Sequence, residues 1–365
     1  MKIGIIGGGA SGTYLAIRLK ELRPDFDVSI IERNDKLLKK IAVTGNGRCN
    51  YANIGETKGK YNNDDFANKI LKNLTSEELI ANFERYGIHP TKIDNLVYPI
   101  TLSAQTMILM LLKRVEELGI KVYLNENVLD YSENNKGYVL KTNVTTRDFD
   151  ILVFTSGGKA YPQLGTNGDV IEMLKTHGYQ IEELSPSLCP IKTKENTKKI
   201  SGQRSKAKVS LYDKNKIYYC ENGEVLFKDD GLSGIVILNI SNRINSIKDK
   251  NNIKIVLDLA PNYNNIKEDN YIEYVSPKIA SYLVEHHLDI HAVAFTFKSL
   301  YDFNVAEVSH GGVSINNLNE NLGSKTENNI YFAGEIIDVD GMCGGYNLMF
   351  AFACSETIAR HLKGK

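Results

Sequence analysis

The stretch KIGIIGGGASGTYLAIRLKELR, residues 2–23, with DVSIIER at 27–33 behind it, decides how the chain begins. KIGIIG is an apolar run suited to a buried parallel strand, and from Ser11 the apolar residues of TYLAIRLKELR recur at helical spacing. Between them Gly7, Gly9 and Gly12 make a GxGxxG loop. In such a loop the first glycine allows a tight turn, the second lets backbone approach a pyrophosphate, and the third permits close packing of helix on strand. The helix start at Ala10 and Ser11 then offers free N–H groups and partial positive charge to phosphates. DVSIIER reads as the next strand, ending in Glu32 and Arg33. A carboxylate at Glu32 can accept from both hydroxyls of an adenosine ribose and repels a 2′-phosphate, which predicts FAD or NAD rather than NADP.

A plain NAD domain would continue with alternating strands and helices. Residues 36–50 instead read KLLKKIAVTGNGRCN, a glycine- and asparagine-rich loop that needs something to wrap. Its KKI approach and TGNGRCN turn resemble the segment of glutathione-reductase-like flavoproteins that runs beside the cofactor's pyrophosphate and ribityl chain. That resemblance implies FAD contacts from Lys40, Thr44, Gly45, Gly47, Arg48, Cys49 and Asn50. More narrowly, the chain is similar to a flavoprotein family variously labelled aminoacetone oxidases, bile-acid (3-dehydro steroid) reductases, or NAD(P)/FAD-dependent oxidoreductases. Four blocks carry the likeness: GGGASG at 7–12, KKIAVTGNGRCN at 39–50, TSGGKAYPQLGTNGD at 155–169 and GEIIDVDGMCGGYN at 334–347; a weaker fifth is DGLSGIVILNIS at 230–241.

Composition narrows the partners. Lysine plus arginine equals aspartate plus glutamate at 44 each, so no net field draws the chain to nucleic acid or an anionic membrane, and a small-molecule substrate is expected. No run reaches the roughly 18 apolar residues of a bilayer span, and the first twenty residues lack a basic leader followed by an apolar block, which predicts a cytoplasmic protein. Five scattered cysteines without a CxxC pair argue against disulfides, a zinc site or a dithiol couple, so no metal is expected.

Helical patterns occupy 64–87, with a capping box in TSEELIANFERYG, and 103–118; IKVYLNENVLDY, GYVLKTN and DFDILVFTSGG read as strands. The resemblance places Val128 beside the adenine; ILVFTSGG ends a buried strand at Gly157 and Gly158, where two glycines let backbone approach a ligand, and Thr155, Ser156 and Gly157 are expected cofactor contacts near the pyrophosphate. From 186 to 261 short alternating segments predict an inserted β-rich or barrel-like substrate domain, and 262–300 reads as a small helical segment. NIYFAGE then returns to the first domain. The expected fold class is therefore α/β: a Rossmann-like FAD-binding domain of glutathione-reductase type, discontinuous over 1–185 and 301–365.

At the C-terminal block, Gly334 ends a strand and Glu335 resembles the acid that bonds a ribityl hydroxyl. Gly345, Tyr346, Asn347 and Leu348 open the last helix, whose N-terminus would stabilise negative charge on a reduced flavin ring. Asp338 and Asp340 read either as site residues or as turn formers, with Asp340 taken as a cofactor contact. Cys49 and Cys343 read as packing residues rather than nucleophiles. Tyr161, His310 and Tyr346 are the candidate catalytic groups. No second strand–GxGxxG–helix unit follows, so NADH or NADPH would dock only transiently as electron donor, or the substrate would reduce FAD and oxygen reoxidise it. The expected activity is an FAD-dependent oxidoreductase transferring a hydride, with an amine oxidase or a non-catalytic flavin sensor or accessory protein as alternatives. Oligomeric state is left open.

Overall fold

The structure is a computed structural model that describes residues 1–365. Its contacts divide the chain into two units, Met1–Leu184 with Val308–Lys365, and Ser185–Glu307. The first unit is built on a five-stranded parallel sheet in the order Ile330–Phe332, Ile151–Phe154, Lys2–Ile6, Asp27–Ile31, Lys121–Tyr123. The central strand is buried on both faces, Ile3 and Ile5 on one and Gly4 and Ile6 on the other, where Gly4 lies against Phe149. A three-stranded antiparallel sheet, Val128–Asn134, Gly137–Thr142 and Thr146–Phe149, accompanies it.

The helix after the first strand, Ala10–Leu22, packs along the C-terminal helix Tyr346–Lys363. Inside that contact the Arg18 guanidinium meets the Glu356 carboxylate, Nε–Oε2 2.7 Å and Nη2–Oε1 3.1 Å, with Arg360 Nε at 2.7 Å on Oε1. Burial pushes the Glu356 carboxyl up, but its bonds to Arg18 outweigh this and hold it below the usual glutamate range. Breaking a buried pair strands one charge in low dielectric. Glu356→Ala is therefore expected to lower stability by roughly 3–5 kcal/mol, read as a fall in urea midpoint. Because the native pKa is depressed, the pair's contribution is complete above the unfolded value of about 4.3 and is lost as pH falls through the native value.

The 64–87 pattern resolves into two helices, Asp64–Leu71 and Ser76–Arg85, the second opened by a reciprocal capping box in which Thr75 accepts from Glu78 N and Glu78 accepts from Thr75 N. In the second unit six strands close a barrel, and Ile235–Asn245 is a helix against it. The expected helical segment at 262–300 is corrected here. Pro277–Glu285 is helical, but Val293–Leu300 is a barrel strand between Ile191–Thr193 and Ile253–Asp258. Its period is two: Val293, Phe295 and Phe297 are buried while Ala294 and Lys298 are exposed. The return to the first unit falls at Val308 rather than 301; Val308–Val313 pairs with Ile181–Ser187, and Val313 bridges Ile337 of the C-terminal block.

Candidate functional site

Four segments far apart in sequence meet at the carboxyl ends of the parallel strands, where ligands of open α/β sheets bind. Thr155 Oγ1 donates to Ile6 O and Gly7 O at 3.0 and 2.7 Å. Ser11 Oγ donates to Ala333 O at 3.3 Å, and Ser355 Oγ donates to Ser11 O at 2.8 Å. Gly334 lies so close that a Cβ there would be 2.7 Å from Ser11 Oγ. Leu38 N donates to Gly8 O at 2.9 Å, and Lys40 Nζ pairs with Glu335 Oε2 at 2.7 Å. With its amide nitrogen turned toward Val97 O and Ala52 O, Asn50 accepts from Gly345 N at 3.1 Å.

The three loop glycines face different surroundings. A Cβ on Gly7 would lie 2.7 Å from Ser156 Cα, at φ +106°, and one on Gly12 would lie 2.0 Å from Gly7 O. A Cβ on Gly9 meets nothing within 4 Å, although Gly9 stands directly before the helix, at φ −77°. The middle glycine is therefore dispensable to the packing of the chain and opens a cradle at the helix N-terminus, where the first N–H groups have no intrahelical partner. Ser156 Oγ, buried nearby at the strand end, has no hydrogen-bond partner within the chain. Both observations fit a bound dinucleotide pyrophosphate.

Glu32 is buried, and its oxygens are already busy. Oε2 accepts from Gly8 N at 2.7 Å, and Oε1 accepts from Asn34 N and Nδ2, each at 2.8 Å. A carboxylate has about four acceptor sites, so one ribose hydroxyl fits there without displacing Asn34, not two. Glu126 N donates to Glu32 O at 2.9 Å, which brings the chain leading to buried Val128 alongside. Arg33 pairs with Asp169 at 3.4 Å and also bonds Asn167, anchoring the 166–169 turn. Gly157 follows Ser156 at φ +73°. In the 39–50 loop Gly45, Gly47 and Cys49 are left-handed, Thr44 Oγ1 donates to Ile41 O at 2.8 Å, and Arg48 is exposed. Burial pushes the Cys49 thiol up to about 12, which suits a packing residue.

The candidate catalytic groups differ sharply. Tyr346 Oη donates to Glu56 O at 3.2 Å and burial raises its pKa, so its hydroxyl is committed to a loop carbonyl. Asn347 closes its amide on Gly341, accepting from N at 2.8 Å and donating to O at 2.9 Å, and Leu348 is half-buried beside it. Tyr161 holds a left-handed backbone, φ +56°, with its carbonyl accepting from Leu164 N. His310 has the chemistry of an acid or base. Its Nδ1 lies 2.7 Å from Oδ1 of Asp340, a carboxylate only 1% exposed. Strand Val308–Val313 is tied to the DVDG loop by Val313 N to Ile336 O and Asp338 N to Val313 O, at 2.8 and 2.9 Å, and Ser309 N donates to Glu335 Oε1 at 3.1 Å.

Asp338 completes the group. Nitrogen or oxygen atoms of His310, Asp338 and Asp340 lie within 4.8 Å of one another. Asn62 Nδ2 donates to Asp338 Oδ1 at 2.9 Å and Asn63 Nδ2 to Oδ2 at 3.0 Å. Asn62, Asn63 and Ser309 had no place in the sequence expectations. The only local signal was YNNDD at 61–65, which reads as a helix entry, whereas these contacts span more than 270 residues.

The HI0933-like protein Rossmann domain profile matches residues 1–361. A 3-dehydro-bile acid delta(4,6)-reductase of Clostridium scindens is 28% identical over an alignment 403 positions long, covering 98% of each chain. A ribosomal RNA dihydrouridine synthase of Haemophilus influenzae is 26% identical over 405, again covering 98% of each. Among solved structures, a 3-ketosteroid-delta4-(5alpha)-dehydrogenase from Rhodococcus jostii RHA1, in complex with 4-androstene-3,17-dione, shares the fold with a TM-score of 0.51 at 13% identity, covering 99% of this chain and 95% of that one. No helix of the chain is long and apolar enough to cross a membrane.

Proposed function

The chain belongs to the HI0933-like family, and from that premise we propose that this FAD-dependent oxidoreductase reduces carbon–carbon double bonds conjugated to a carbonyl. The observation that carries the proposal is the Gly9 cradle at the carboxyl ends of the strands, with His310 on buried Asp340 in the same unit. The two relatives' names describe one chemistry on different molecules. A 3-oxo compound with 4,6 unsaturation and a uracil ring both present an alkene in conjugation with a carbonyl. The balance of 44 basic against 44 acidic residues favours a small substrate over RNA, since RNA enzymes gain affinity by neutralising phosphates.

The loop 7–12 and the helix start at Ala10 would hold the FAD diphosphate, Glu32 one ribose hydroxyl, and Lys40, Glu335 and the Gly345 helix N-terminus the ribityl and ring end. FAD held there would supply hydride chemistry for the β-carbon, with a reduced nicotinamide as the source of the electrons. The α-carbon needs a proton, and we assign its delivery to His310, whose Nδ1 lies 2.7 Å from Asp340 Oδ1. With Nδ1–H bonded to Asp340, an imidazolium carries its other proton on Nε2, and the buried carboxylate stabilises the charged ring. Two electrons and two hydrogens then enter the substrate, and His310 regains its proton from solvent. Tyr346, Asn347 and Asn50 shape the last loop.

Anaerobic spectroscopy tests the proposal. NADH or NADPH is expected to bleach the flavin, and a 3-oxo-4-ene steroid is expected to restore the colour without oxygen. Bleaching by a small amine with peroxide on re-aeration would instead make it an oxidase. Recolouring only by uridine-containing RNA would move the substrate to nucleic acid, and no bleaching by any donor would leave a flavin-binding protein without turnover.

A further inference from the structure

Resting on His310 as the proton donor, we infer that Asp338 is a positioning residue that keeps the His310 imidazole charged, with Asn62 and Asn63 as its clamp. The clamp is geometric. Each carboxylate oxygen of Asp338 accepts one side-chain amide hydrogen, at 2.9 and 3.0 Å, and Asn63 Nδ2 reaches the Asp338 carbonyl as well, at 2.6 Å. Asn62 also fixes Asp340, accepting from its N–H at 3.0 Å and donating its own N–H to the Asp340 carbonyl at 3.1 Å. One short segment thus sets both carboxylates that face the imidazole.

The groups facing Asp338 are His310 from strand Val308–Val313, Glu182 from the neighbouring strand Ile181–Ser187, Asp340 from its own loop, and the neutral Asn62 and Asn63. Burial pushes the Asp338 carboxyl up to about 6, with Asp340 and Glu182 adding to the rise, while His310 pulls it down. Coupling between two titrating groups is reciprocal, so the carboxylate raises the proton affinity of the ring by the same interaction. Above about pH 6 the ionised Asp338 supports the imidazolium; below it Asp338 is neutral and that share of the support is lost. The two amide hydrogens take one acceptor site on each Asp338 oxygen, which fixes the carboxylate in the plane facing the ring while leaving its second lone pairs open.

Imidazole 15N NMR titration of the full-length chain, with and without added FAD, reads this directly. The His310 signal is identified by its loss in His310→Gln. Its midpoint is expected above the ordinary value of about 6.5, and Asp338→Asn is expected to lower it by about one unit, tenfold in proton affinity. A wild-type midpoint at or below 6.5 overturns the inference without any variant. An unchanged midpoint in a normally melting Asp338→Asn overturns it too, as does loss of the His310 signal with one equivalent of Zn2+, which would make the cluster a metal site. Because the titration needs no flavin, a protein that binds none refutes the proposed reaction while leaving this measurement readable.

Discussion

Gly9→Leu is expected to melt like the parent protein and to carry no FAD. The backbone at Gly9 lies at φ −77°, which any L residue adopts, and a Cβ there meets nothing within 4 Å. The substitution therefore costs the fold at most the few tenths to about 1 kcal/mol of a changed helix cap. Its side chain would fill the space in which a diphosphate must approach the helix N-terminus. Gly12→Ala is the contrasting case. Its methyl would lie 2.0 Å from Gly7 O, so helix and strand must separate, and loss of flavin there comes with loss of stability. Flavin content near wild type in Gly9→Leu would refute the assignment of the N-terminal loop.

His310→Gln is expected to retain FAD and to be reduced by nicotinamide at the parental rate, yet to return electrons to an enone about 10²–10⁴-fold more slowly. The separation follows from the placement of the residue. His310 is carried by strand Val308–Val313 with its Nδ1 on Asp340, not by the 7–12 loop assigned to the diphosphate, so its loss is expected to affect proton delivery rather than cofactor retention. Stopped-flow measurement of the two half-reactions checks it. An equal slowing of both would mean that the residue only supports the fold, and no slowing of either would remove it from the reaction.

The Rossmann start was legible because its signals are local. Strand, glycine spacing, helix and Glu32 fall within the first 33 residues, and each glycine's role is a consequence of backbone sterics at neighbouring positions. The capping box at Thr75 and Glu78 was legible for the same reason. Val293–Leu300 was misjudged because a short apolar run of Ala, Val and Phe supports either period until its partners are known. The role of Tyr346 depends on where Glu56 passes, and the crowding of Glu32 depends on Asn34 and Gly8 folding onto the same carboxylate. Least legible was the Asp338 clamp, since Asn62 and Asn63 carry no motif and lie 276 and 275 residues from it in sequence. Pairing of the 39–50 and 334–347 blocks followed from resemblance alone; the Lys40–Glu335 ion pair at 2.7 Å supplies its physical form.

The measurement that bears most directly on the central claim is the visible spectrum of the full-length protein titrated with FAD after removal of any bound cofactor. One equivalent of FAD per chain, held through gel filtration with a shifted flavin band, is the expected result. A protein that is folded by thermal melt, yet shows no flavin absorbance as purified and takes up none when FAD is added, would contradict the account.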